Sequence, residues 1–180
     1  MELKAFIISY AGLKEGKHQF QFEVDNTFFE NFGFEEFNSS SIIVDAQLDK
    51  KNTIMELSLE ATGSVNVNCD VTNEPFDLDI DTSMDLVIKF GEAFNDDNEE
   101  LLILPHGEYE FNIAQYVYEM LVLSIPHRRV HPGVEDGSLE SDVLDKLDEL
   151  RVSNPEEENN TKITDPRWDA LKKLKTDNNL

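Results

Sequence analysis

Alternation of apolar and polar residues dominates the first hundred positions. Residues 18–24 set Phe20, Phe22 and Val24 on one side and Gln19, Gln21 and Glu23 on the other, the period of a half-buried strand. Residues 3–9 form a short apolar run that reads as a strand, followed by a two-glycine turn at 10–17. Residues 42–48 predict a further strand. In 53–62, Met55, Leu57, Leu59 and Ala61 alternate with Ile54, Glu56, Ser58 and Glu60. Gly63 predicts a bend, after which Val65, Val67 and Cys69 face one way. Residues 72–75 predict a turn. Phe76, Leu78 and Ile80 then alternate with Asp77, Asp79 and Asp81, and a separate strand carries Met84, Leu86, Ile88 and Phe90. Residues 91–100 read as an acidic loop and 101–104 as a last apolar strand before Pro105. Short strands joined by tight turns point to an antiparallel β-meander forming a bent sheet or barrel. One of its faces is apolar and the other strongly acidic.

Two departures from this period mark other elements. Residues 26–34 hold four phenylalanines, which read as a short helical turn or loop pinned to the core. Residues 111–131 carry Ile113, Tyr116, Val117, Met120, Leu121 and Leu123 close to helical spacing, with Asn112 as N-cap and Pro126 as stop. This central helix is expected to cover the β core, so the fold class is α+β. Beyond it, Leu139, Val143, Leu144, Leu147 and Leu150 outline an acidic amphipathic helix, expected to pack on its own domain. Residues 152–164 have the composition of a disordered linker. Asp165 then reads as an N-cap with Pro166 at the first helical position, Trp168, Leu171 and Leu174 on one stripe, and Lys172, Lys173 and Lys175 at the C-terminal end. The expected organisation is a β-rich domain with its central helix at 1–132, the acidic helix at 133–151, and a linker with a short C-terminal helix at 152–180. That last helix is too short to stand alone, so it docks on the body or on a partner.

Charge narrows the partners. Asp and Glu number 38 against 15 Lys and Arg, a formal net charge of -23 over 180 residues. Such a field repels nucleic-acid phosphates and attracts cationic surfaces, while also serving solubility. The single cysteine, Cys69, excludes an internal disulfide and suits a reducing compartment. No apolar run reaches membrane-spanning length and the first residues lack a signal-peptide pattern, so the expectation is a cytoplasmic protein with no membrane contact.

Catalytic signals are missing. The chain has no P-loop, Rossmann fingerprint, GxSxG or HExxH, and no carboxylate pair has a distinctive spacing, so no enzyme, cofactor or small-molecule substrate is expected. Cys69, His127 and His131 are the one set with metal-ligand chemistry, a thiolate and two imidazoles. The competing reading makes Cys69 a buried strand residue in line with Val65 and Val67. His18 and His106 read as edge and surface groups. Arg128 and Arg129 form the local basic cluster of the body, suited to phosphate or carboxylate, or to the chain's own acids.

Three segments in order carry a family likeness. Residues 69–76, CDVTNEPF, resemble a Cys-x-x-Cys-Leu-x-Pro-Phe element. The central helix leading into Leu123-Ser-Ile-Pro-His127 and then His131 resembles a helix ending in Leu-x-Leu-Pro followed by a cysteine. Residues 165–171, DPRWDAL, resemble an Asp-Pro-Arg-x-x-x-Leu motif. Together they are similar to the YceD family, the large ribosomal RNA subunit accumulation proteins, over about residues 3–175. Thr72 and His131 stand where that family has cysteines, so the resemblance implies a member that has lost any zinc held by them.

The resemblance further implies a bacterial ribosome biogenesis role in accumulation of large-subunit (23S) ribosomal RNA. In that family the gene commonly neighbours one for a small basic large-subunit ribosomal protein. With the charge, this points to a basic large-subunit ribosomal protein or a pre-ribosomal particle as partner. The expected partner-binding residues are Arg128, Arg129, Asp165, Pro166, Arg167, Trp168 and Leu171. The alternative is direct binding of ribosomal RNA through Arg128, Arg129 and the C-terminal lysines, and a further one a nuclease using a carboxylate-bound metal.

Overall fold

The longest alternations become the longest strands. The computed structural model describes residues 3–98 and 100–150. A 3-10 turn, Leu3–Phe6, leads into β1, Ile7–Ser9, then β2, Gly16–Val24, α1, Asn26–Glu30, and β3, Ser39–Lys50. Next come β4, Ile54–Asn68, and β5, Pro75–Gly91. β6, Asn95–Asn98, β7, Leu101–Pro105, and β8, Glu110–Asn112, follow. The helices α2, Ala114–Ser124, α3, Pro132–Glu135, and α4, Asp142–Leu150, complete the described chain. It divides into two units, Met1–Val143 and Leu144–Leu180.

Six strands form one sheet in the order β2-β3-β4-β5-β7-β6, and β1 pairs with β8 in a separate ribbon. β2 through β5 are the expected antiparallel meander. Four expectations are corrected. β7 runs parallel to β5, with Val87 opposite Leu101 and Phe90 opposite Leu104, because it inserts between β5 and β6. β6 itself replaces part of the expected acidic loop. The sheet does not close into a barrel, since β2 and β6 remain its edges; helix and aromatic side chains bury the inner face instead. Residues 3–9 are strand only from Ile7 onward.

Two expected breaks are absent for a common reason. Burial in β5 falls on even positions from Phe76 to Ile88, and in β4 on odd positions from Met55 to Val67. That parity passes unbroken through Thr82-Ser83 and through Gly63, so each segment is a single strand rather than two. Gly63, at φ +154°, lies close against the backbone of β3: an added Cβ would sit 2.2 Å from the Ser41 carbonyl oxygen. Glycine permits the approach.

The inner face is covered from two sides. Asp25 caps α1, its Oδ1 accepting from the Phe28 N–H at 3.2 Å. Phe28 and Phe29 are thereby buried, Phe29 edge-on to Phe37 at 4.8 Å, and Phe32 stacks on Tyr118 of α2 at 4.3 Å. Asn112 Oδ1 accepts from the Ala114 N–H at 2.7 Å and starts α2. Ile125 before Pro126 is extended and ends it. Ala114, Tyr116, Val117, Met120 and Leu121 of α2 are buried. Leu123, expected on that stripe, is 83% exposed. None of the residues of α4 is buried, and Val143, Leu147 and Leu150 are exposed.

Candidate functional site

The segment after α2 is held against the turn between β4 and β5. That turn is closed by the Asn73 N–H donating to the Cys69 carbonyl and the Cys69 N–H donating to the Glu74 carbonyl, both at 2.8 Å. Asn73 sits at φ 61°, a conformation asparagine tolerates better than most residues. Cys69 is 2% exposed. Its sulfur accepts from the His131 N–H at 3.3 Å and the Val71 N–H at 3.4 Å. Burial pushes the thiol up. Hydrogen bonds from His131, Thr72 and Val71 stabilise negative charge on sulfur and outweigh it, leaving the pKa below the usual thiol value.

The structure therefore brings Cys69, Thr72 and His131 together, as the family-like spacing implies. The donor set does not fit zinc. Thr72 supplies a hydroxyl in place of a thiolate, and Nδ1 of His131 already accepts from the Gly133 N–H at 2.9 Å as the cap of α3. The His131 ring stands edge-on to Phe76 at 5.5 Å, and His127 is exposed. Among the described residues no three His, Cys, Asp or Glu side chains converge to hold a metal.

Arg129 is part of the same corner. Its backbone N–H donates to Asp70 Oδ2 at 2.6 Å, its carbonyl accepts from the Asp70 N–H at 2.8 Å, and its guanidinium reaches Glu36 at 3.1 Å and Asp70 at 3.8 Å. The chain's own acids thus engage it. Arg128 is exposed. Sequence reasoning missed Asp70 and Glu36; Glu36 lies 93 positions away and carries no local signal. His18 is the expected edge group, its Nε2 2.8 Å from the Lys14 carbonyl. His106 lies against the Phe90 ring at 6.3 Å. Asp165, Pro166, Arg167, Trp168 and Leu171 lie outside the described residues.

A further electrostatic feature is the outer face of the sheet. Asp45 and Asp49 on β3, Glu56 and Glu60 on β4, and Asp77, Asp79, Asp81 and Asp85 on β5 all occupy outward positions. Register places Asp45 directly opposite Glu60 and Asp49 directly opposite Glu56. Like charges across an antiparallel pair repel. Neutral donors relieve part of this: Gln21 donates to Asp45 at 2.9 Å, Ser58 to Asp85 at 2.7 Å and Asn66 to Asp77 at 2.7 Å. Lys51 pairs with Glu56 at 2.6 Å. Glu60, Asp79 and Asp81 have no such partner among the described residues. No helix among these residues is long and apolar enough to cross a membrane.

Comparison with known proteins agrees with the three sequence motifs. The family model described as large ribosomal RNA subunit accumulation protein YceD matches residues 57–175. No curated protein and no solved structure matches the chain. The matched span runs from β4 through the corner built on Cys69, Thr72 and His131 and on past α4, about two thirds of the chain, and on that basis the chain belongs to the YceD family.

Proposed function

We propose that this protein is a non-enzymatic ribosome biogenesis factor that supports accumulation of large-subunit ribosomal RNA by binding a basic large-subunit ribosomal protein, free or in an assembly particle. The family's description ties the chain to large-subunit ribosomal RNA accumulation. The observation that carries the finer reading is the outer sheet face, where acids sit directly opposite acids. An arrangement that costs stability in the free protein and is relieved by cations is what a docking face for a basic chain requires. The same field opposes naked RNA phosphates. Exposed Arg128 and the 165–171 segment are further proposed contacts. The proposed action needs no zinc at the Cys69 corner and takes place in the cytoplasm.

The test is affinity purification of the full chain from its own cells, at low and at moderate salt, with and without nuclease. Enrichment of one or two basic large-subunit proteins that survives nuclease and fades with salt is the expected result, because exposed charge pairs are screened within about 8–10 Å at such ionic strengths. Enrichment of large-subunit precursor RNA that nuclease abolishes supports direct RNA binding instead.

A further inference from the structure

A groove of about 380 Å³ lies between α2, β7, β8 and the segment entering β6. Its floor is apolar: Leu102 and Leu104 of β7, Phe111 of β8 and Tyr116 of α2. Phe94 forms one wall and is 57% exposed. Four carboxylates from three different places in the chain stand around it: Asp96 on β6, Glu108 and Glu110 at the entry to β8, and Glu119 on α2. The lining contains no Lys, Arg or His. Convergence from such separated positions distinguishes the ring from an acidic run. The field reaches the floor, since burial and then the charges of Asp96 and Glu119 push the Tyr116 phenol up to about 12.

An apolar floor with a wholly anionic rim selects its occupant. An anionic or neutral apolar group gains nothing from the rim, and a small cation gains nothing from the floor. A side chain that is both large and flanked by cations uses both. The volume sits near the low end of the roughly 300–1,000 Å³ of small-molecule pockets, enough for one or two side chains. The exposed Phe94 ring also offers its face to a guanidinium.

We propose that this groove seats one aromatic or large aliphatic side chain of a Lys/Arg-rich protein segment, whose flanking cations meet Asp96, Glu108, Glu110 and Glu119. This rests on the reading above that the partner is a basic protein, and it names a site apart from the acidic sheet face. The apolar anchor supplies selectivity among basic chains, which charge alone does not.

The experiment is a titration of the full-length, isotope-labelled chain, followed by amide chemical shifts, with two twelve-residue Lys/Arg-rich peptides. One peptide carries a central Trp and the other Ser in its place. The Trp peptide is expected to bind about tenfold more tightly, as for loss of an interface anchor, and to move resonances at 94–96, 102–104 and 110–119. Phe94→Ser, at an exposed position, removes that difference with the amide spectrum otherwise retained. Glu119→Lys weakens both peptides. Equal affinity for the two peptides, or a Trp-dependent gain that persists in Phe94→Ser, overturns the groove proposal. In that case salt-sensitive binding of both peptides, with shifts on β3–β5, leaves the charge reading standing. Failure of both peptides to bind at low salt overturns the two together.

Discussion

Replacing Gly63 by alanine tests the close approach of β3 to β4 at that residue. At φ +154° an L-residue is strained, which costs about 1–3 kcal/mol. The new Cβ would lie 2.2 Å from the Ser41 oxygen and 2.7 Å from Ile42 Cα. Both are backbone atoms of β3, so no side-chain rotation relieves them. β3 and β4 must separate by about an ångström, weakening one or two ladder hydrogen bonds at about 1 kcal/mol each. The total is about 2–5 kcal/mol. For a chain of this length that is a fall in Tm of about 4–20 °C, at about 2–4 °C per kcal/mol. Urea denaturation of wild type and Gly63→Ala, followed by circular dichroism, measures it. Gly12→Ala is the control, because nothing lies within 4 Å of its added Cβ; a change within about 0.5 kcal/mol is expected there. A Gly63→Ala midpoint matching that of Gly12→Ala refutes the argument from close approach.

Other consequences follow from the same geometry. Glu60→Gln removes the repulsion across from Asp45 and is expected to stabilise the protein by about 0.2–1 kcal/mol in urea, while lowering affinity for a basic partner; destabilisation counts against the like-charge reading. Asp70→Ala is expected to cost about 1–2 kcal/mol, more than Arg129→Ala. It takes the acceptor from a backbone N–H as well as from the guanidinium, whereas the partly exposed ion pairs of Arg129 contribute about 0–1 kcal/mol. Equal costs in denaturant would contradict that division. Tyr116 is raised to about 12 and Tyr10 is raised as well, both mainly by burial. Their neutral phenols therefore contribute stability that is whole below pH 10 and is lost as pH rises through the folded pKa. Spectrophotometric titration should show late-ionising tyrosines, and alkaline stability should decline less in Tyr116→Phe.

The strands were legible because burial on one face forces a period of two, and Phe20-Gln-Phe22 or Met55-Glu-Leu57 states it directly. Their continuity was missed: the small and polar residues at Gly63 and Thr82-Ser83 resemble breaks, although the burial parity runs through both. The parallel placement of β7 was missed as well. Leu101–Pro105 is equally apolar whichever way it runs, and only the insertion between β5 and β6 decides. The Cys69–Thr72–His131 corner was visible as a spacing, yet its chemistry depends on backbone N–H groups and on Gly133 occupying Nδ1. The groove was invisible, since Asp96, Glu108, Glu110 and Glu119 meet only after the chain folds.

The acidic sheet face is proposed to serve large-subunit assembly. That role is tested most directly in cells lacking the endogenous protein and complemented with wild type or with a full chain carrying Asp45→Asn, Glu60→Gln and Asp85→Asn. The readout is the ratio of mature large-subunit to small-subunit ribosomal RNA, with matched expression and folding of the two chains. The account predicts that the neutralised chain folds at least as stably as wild type and fails to restore the ratio. Full restoration by that chain would contradict it.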